Sequence, residues 1–144
     1  MRNNERILEF NCRYRFLSNF AVSPIIHNRI HYSTVEHAYQ AAKTTDKQLR
    51  LHIASLQEPR HAKLFGRKLE LRPDWDDIRI DIMRILIKKK FRIPTFRKLL
   101  IQTGNSLLVE GNTWNDTFWG VCKGEGSNHL GKLLMEERRR IKDE

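Results

Sequence analysis

The sequence predicts an α+β domain dominated by helix, and three observations carry that prediction. Apolar residues recur at helical spacing through about 34–43, 74–91 and 128–141. A shorter stretch, 23–33, alternates apolar and polar residues around a polar turn, as a hairpin does. Pro59, Gly66, Pro73, Pro94 and Gly104 stand at the borders of the helical patterns, where such residues start and stop helices. A chain of 144 residues, 40% of them hydrophobic, suits a single domain over 1–144 with one core.

Taken in order, residues 7–10 (Ile-Leu-Glu-Phe) read as a short strand. In the hairpin, Ile25 and Ile26 lead into a turn at His27-Asn28-Arg29, and Ile30 and Tyr32 alternate on the way out. The first helix, 34–43, has a Ser33-x-x-Glu36 capping box and an apolar stripe of Val35, Ala38, Tyr39 and Ala42. A second helix is expected over 46–56, and a third follows Pro59 and stops at Gly66. The 74–91 segment starts at Pro73 or Asp74 and carries two stripes: Trp75, Ile78, Ile82, Ile85 and Ile80, Met83, Ile87, Phe91. Two stripes imply burial on more than one side, which predicts a central core helix. A short helix over 95–102 ends at Gly104, and 106–111 and 118–121 read as strands around a polar loop. In the last helix, 128–141, Leu130, Leu133, Leu134 and Ile141 face inward and Glu136 to Arg140 largely outward. The count is five or six helices and a few short strands.

Composition narrows the function. The formal net charge is +10, which predicts attraction to polyanions: nucleic acid, nucleotides or phosphorylated metabolites. No apolar run approaches the roughly 20 residues of a membrane span, and the opening residues lack an apolar signal segment. The two cysteines, Cys12 and Cys122, form no CxxC and are expected as free thiols in a reducing, cytoplasmic compartment.

Several chemistries are set aside on spacing. The six histidines make no HExxH and the cysteines no CxxC, so no metal is expected. Gly126 to Lys132 matches the G-x4-G-K part of a nucleotide-binding loop, but Leu133 stands where a magnesium-binding Ser or Thr belongs. A weaker reading remains, an anion at the backbone N–H groups where this loop enters a helix, beside the alternative that Ser127 caps that helix. Cys122 beside Lys123 is a small semi-buried thiol rather than a nucleophile with a sequence-adjacent base. Lys88-Lys89-Lys90 and Arg138-Arg139-Arg140 are basic patches without a recognisable nucleic-acid motif.

The most informative stretch is Tyr32 to Lys43. Glu36, Gln40 and Lys43 stand at i, i+4 and i+7 and share one side of the helix. They are either a cap with a solvent-facing row or a polar row lining a site. Further clusters join them: "FLSNF" (16–20), "RPDW" (72–75), "NDTFWG" (115–120) and "GSNHLGKLLMEER" (126–138).

Together these five segments, in this order, resemble the NADAR, or YbiA-like, family over about residues 16–138. The resemblance implies a YbiA-like α+β fold and hydrolysis of N-glycosidic bonds without a metal or other cofactor. The implied substrate is a ribosylated base: a phosphoribosylamino-pyrimidine intermediate of riboflavin synthesis, or ADP-ribose on guanine in a nucleotide or nucleic acid. By the same resemblance, Glu36 is the principal catalytic carboxylate and Asp116 the second. Lys43, Arg67 and the helix start at Asn128 would hold phosphate. Asn19 and Gln40 would hydrogen-bond base or ribose, with Phe20 beside Asn19 in the "SNF" step. Trp119, next to Gly120, would stack on the base. Trp75 reads as core and His37 as a structural partner of the site. Ala38, Ala42, Cys122 and Ala21-Val22 depart from the family pattern, which bears on the shape of the pocket. The alternative function is a non-catalytic ADP-ribose or nucleic-acid binder, motivated by the positive charge.

Overall fold

The computed structural model describes residues 5–144, so part of the opening segment that lacks an apolar signal run lies outside the described residues. In chain order the elements are β1 (Arg6–Ile7), a 3-10 helix (Cys12–Leu17), β2 (Val22–His27), β3 (Ile30–Thr34), α1 (Val35–Ala41), α2 (Lys47–Ser55), α3 (Pro59–Gly66) and α4 (Trp75–Lys90). They continue with α5 (Pro94–Gln102), β4 (Leu107–Leu108), β5 (Gly111–Asn112), β6 (Val121–Cys122) and α6 (His129–Lys142). The chain forms two compact units: Asn19–Lys90, and Phe91–Glu144 with the described residues up to Ser18. No helix among the described residues is long and apolar enough to cross a membrane.

In the Asn19–Lys90 unit, β2 and β3 form the expected antiparallel hairpin, with Ile25 opposite Tyr32 and His27 opposite Ile30. Its two-residue turn, Asn28-Arg29, has positive φ at both positions, the conformation that matches the twist of a hairpin. α1 follows β3 directly, and its cap corrects the sequence reading. Thr34, not Ser33, is the N-cap, and its hydroxyl oxygen accepts the His37 N–H at 3.0 Å. The Glu36 N–H donates to the Asn19 carbonyl at 3.1 Å, so no Ser33–Glu36 box forms. α2 is capped by the Asp46 carboxylate, which accepts from the Gln48 and Leu49 N–H groups. α3 has Pro59 in its first turn and ends at Gly66.

In α4 one face is buried, not two. Met83, Leu86, Ile87 and Lys90 follow one another at i, i+3, i+4 and i+7 and are all buried with Trp75, whereas Ile85 is exposed. Ile85 is two residues from Met83 and Ile87, about 200° round the helix, so it lies on the opposite side from the packed seam.

In the other unit, β1 pairs in parallel with β4, Arg6 against Leu107 and Ile7 against Leu108. The strand expected over 7–10 is therefore shorter and shifted. The strand expected over 106–111 is broken in two: the Asn128 side chain bonds the Leu108 carbonyl and the Glu110 N–H where a strand neighbour would otherwise stand. Of the 118–121 segment only Val121 enters a strand, β6, which pairs in parallel with β5. The carbonyls of Phe118, Trp119 and Gly120 instead accept N–H groups from the start of α6. The 3-10 helix has no long apolar period and was not expected.

α6 runs as expected with Leu130, Leu133, Leu134 and Ile141 buried, but Glu137 and Arg138 are buried too. Both fall on the leucine face, at i+7 and i+8 from Leu130. Arg138 donates to the Thr103 hydroxyl at 2.9 Å and the Ser106 carbonyl at 2.8 Å, at the C-terminal end of α5, where the helix dipole favours a cation. Glu137 is held by Arg140, one turn on.

Candidate active site

Every residue of α1 is buried. A seven-residue helix that is covered all round cannot present a solvated polar face, so each of its polar side chains needs a partner. His37 is fully enclosed and has two: Thr34 Oγ1 lies 2.7 Å from Nδ1 and the Leu56 carbonyl 2.9 Å from Nε2. A carbonyl only accepts, so Nε2 carries the proton and Nδ1 accepts from the threonine hydroxyl. Burial lowers the pKa of His37, with the Leu56 carbonyl opposing, which favours the neutral ring. This histidine ties α1 to the residue after α2; its contacts are structural.

Glu36 and Gln40 lie one turn apart, 8% and 4% exposed. Gln40 Nε2 donates to Glu36 Oε2 at 2.6 Å, a bond that an ionised carboxylate accepts. Gln40 Oε1 is buried and has no hydrogen-bond partner among the described residues. It lies against the last residue of α3: a Cβ built on Gly66 would stand 1.8 Å from Oε1. Gly66 is thus a close-approach residue.

Lys43 follows at the end of the same row, its ammonium 5.8 Å from the centre of the Tyr39 ring. Burial lowers its pKa, Glu36 opposes that, and Arg67, Lys63 and Arg79 push it lower still. Lys43 therefore feels one carboxylate, Glu36, and three further cations. Lys63 also lies 6.0 Å from the centre of the Phe20 ring. The sequence reading missed Lys63 and Arg79. Lys63 was findable, since it stands four residues before Arg67 on one helical face. Arg79 carries no such signal. Asn19 contributes its carbonyl to Glu36, as above, and its Nδ2 lies 3.6 Å from Met83 Sδ. Trp75 is buried and stacks at a tilt on Tyr39, centres 5.2 Å apart, as a core residue does.

The remaining sequence candidates belong to the other unit. Asp116 Oδ1 accepts the N–H groups of Phe118 and Trp119 at 3.1 and 2.9 Å, which shapes the "FWG" turn. Its Oδ2 makes no hydrogen bond among the described residues. Asn112 braces the same loop, accepting the Asp116 N–H and donating to the Asp116 carbonyl. Trp119 meets His129 edge-on, centres 6.2 Å apart. Gly120 is needed for packing: a Cβ there would lie 2.2 Å from the Glu110 carbonyl.

The Asn128 side chain clamps α6 to the strand segment at Leu108 and Glu110, and Asn128 itself sits in the left-handed region that asparagine tolerates. The N–H groups of Ser127, Asn128, His129 and Leu130 all donate to carbonyls of residues 117–120. The loop-to-helix entry that read as an anion nest thus has these donors engaged, and Ser127 does not cap the helix. A cavity of about 350 Å³, lined in part by Ile7, Tyr14, Leu99 and Thr103, contains none of the candidate residues. Among the described residues no group of three or more His, Cys, Asp or Glu is placed to hold a metal. Both cysteines are free, Cys12 exposed and Cys122 buried.

Residues 8–142 match the NADAR domain family. The chain is 39% identical over 137 residues to an N-glycosidase of Nostoc punctiforme, a match covering 90% of this chain and 87% of that protein. It is 37% identical over 132 residues to the N-glycosidase YbiA of Escherichia coli, covering 89% and 82% of the two. A chloroplastic riboflavin biosynthesis protein of Zea mays is 36% identical over 124 residues, 76% of this chain and 20% of the maize protein. The NMR structure of Escherichia coli YbiA matches with a TM-score of 0.88 at 33% identity, over 99% of this chain and 88% of that one. The two share one α+β fold of helices and short strands.

Proposed function

The chain belongs to the NADAR domain family, and from that premise we propose that it is an N-glycosidase that hydrolyses the C1′–N bond of a ribosylated base. The names of its relatives support the reaction class. The observation that carries the assignment to residues is the buried Glu36 carboxylate, hydrogen-bonded by Gln40 and coupled to Lys43, which also feels Lys63, Arg67 and Arg79.

The chemistry matches that arrangement. Breaking C1′–N leaves the electron pair on the departing base and a transient positive charge on the sugar. A fixed carboxylate beside C1′ stabilises this charge as it develops. A water then adds to C1′, and its proton is taken up by a carboxylate or by the leaving base. Lys43 and the cations it feels, Arg67, Lys63 and Arg79, suit a substrate carrying phosphate. The buried setting strengthens each of these interactions relative to water.

The family pattern, rather than a distance, carries the roles of Asp116 as second carboxylate and Trp119 as the aromatic that stacks on the base. The Asp116 Oδ2 left out of the turn supports the first. Asn19, Phe20 and Gly120 line up with the same pattern as substrate contacts; Asn128, to which that pattern gives a phosphate, instead has its side chain on Leu108 and Glu110 and its N–H on the Gly120 carbonyl. The match over 8–142 supports treating both units as one functional domain. Within this reading, the +10 charge favours a nucleotide-linked or polynucleotide-borne ADP-ribose over a small free metabolite.

The test is direct. The protein is incubated with phosphoribosylamino-pyrimidine, ADP-ribosylated guanosine and ADP-ribosylated DNA, and released sugar is measured by mass spectrometry. The expected result is free ribose phosphate or ADP-ribose, with kcat lowered about 10²–10³-fold in Glu36→Gln. Equal rates for the two proteins would overturn the assignment. Salt-dependent binding with no turnover of any substrate would replace it with the non-catalytic binder.

A further inference from the structure

We propose that Gly66 and Gln40 are positioning residues that hold the Glu36 carboxylate ionised and in one orientation. The inference rests on Glu36 being the working carboxylate of the glycosidase reading. It goes beyond that reading by assigning the glycine of α3 a part in the reaction that no contact with substrate would give it.

The argument starts from the amide. A carboxylate has no proton to donate, so the Gln40 end that meets Glu36 Oε2 at 2.6 Å is the NH₂ group. The carbonyl end then points the other way. There it is buried and unpaired among the described residues, an arrangement that folded proteins rarely keep without a reason. Turning the amide over would not help, because oxygen would then face oxygen at Glu36. The unpaired Oε1 is the consequence of spending the donor on the carboxylate.

Only a glycine at 66 allows it. The Cβ of any other residue would stand 1.8 Å from Oε1, 2.7 Å from the amide carbon and 3.2 Å from the Gln40 Cβ. Gly66 has no positive φ, so backbone freedom does not explain it. The α3 backbone is the wall against which the amide rests. A side chain there would push the amide off Glu36. A hydrogen bond donated to the charged form lowers a carboxylate's pKa, so losing it raises the pKa and shrinks the ionised fraction at mildly acid pH.

The experiment reads Glu36 itself. Glutamate carboxyl carbons are titrated by ¹³C NMR in the free protein, and the Glu36 signal is identified by its loss in Glu36→Gln. In Gln40→Leu the Glu36 midpoint should rise by about one pH unit. Gly66→Ala should raise it in the same direction and add little in the Gln40→Leu background. An unmoved midpoint in Gln40→Leu, or shifts that simply add, would overturn the proposal. Should the Gly66→Ala chain not fold, Gly66→Ala with Gln40→Ala should, because the amide atoms met at 1.8 and 2.7 Å are gone and only the Cβ at 3.2 Å remains; failure of that rescue would count equally against it. Absence of turnover would sink the glycosidase reading and leave these midpoints as they are, so the two failures are distinguishable.

Discussion

Replacing Thr34 by valine tests how α1 is held. The substitution keeps the shape of the side chain and removes its hydroxyl. That hydroxyl accepts the His37 N–H at 3.0 Å, the N-cap bond of α1, and an N-cap is worth about 1 kcal/mol. It also lies 2.7 Å from His37 Nδ1, an acceptor enclosed at 0% exposure, and a buried group left unpaired costs about 1–3 kcal/mol. The sum is about 2–4 kcal/mol. At roughly 2–4 °C per kcal/mol for a chain of this size, the melting temperature should fall by about 4–16 °C. The neighbouring Ser33→Ala is the control. Its hydroxyl is 3.5 Å from the same nitrogen and caps nothing, so its effect should stay within about 0.5 kcal/mol. Thermal or urea unfolding of the three proteins reads both numbers. If Ser33→Ala costs as much as Thr34→Val, the cap has been assigned to the wrong residue and the account of α1 fails.

Other predictions follow from the same reasoning. His27 lies beside Lys89 and near Arg50, and burial, then those two cations, pull its pKa down from 6.5 to about 4. Its folded pKa is thus below its unfolded one, so its contribution is fully present above pH 6.5 and is lost as pH falls towards 4. The shift corresponds to about 3 kcal/mol at most, and His27→Gln should flatten the stability–pH curve across that window; an unchanged slope would refute it. Asn128→Ala removes the bonds to the Leu108 carbonyl and the Glu110 N–H and leaves an alanine in the left-handed region. Destabilisation of about 2–4 kcal/mol is expected in urea unfolding, and a loss under 1 kcal/mol would show that the clamp is not needed.

Much of the molecule was legible in the chain. The hairpin was visible because alternation and a polar turn are local features, and α3 and α5 were visible because Pro and Gly mark their ends. The row Glu36, Gln40, Lys43 was legible as a shared side because helical spacing is fixed by 3.6 residues per turn. The misreadings have particular causes. Glu137 and Arg138 sit at core positions of α6, but their charge argued for solvent; Arg138 is buried because the end of α5 and the Ser106 carbonyl offer it acceptors. Ile85 looked like core by type and is exposed by position. The strands over 106–111 and 118–121 were cut short because Asn128 and the entry to α6 take the hydrogen bonds that a sheet would use.

By itself the sequence determined where the helices and the hairpin lie, which side chains share a helical face, and the family that the five motifs resemble. Those properties depend on neighbours a few residues away, and the order of residues encodes them directly. The tertiary structure decided that α1 is covered on all sides, that Thr34 caps it, and that Gly66 lies against the Gln40 amide, twenty-six residues away in the chain. Burial and electrostatic surroundings are set by whatever packs alongside. The glutamate at 36 is the same residue in either case, but only the folded chain buries it on the Gln40 amide and couples it to Lys43.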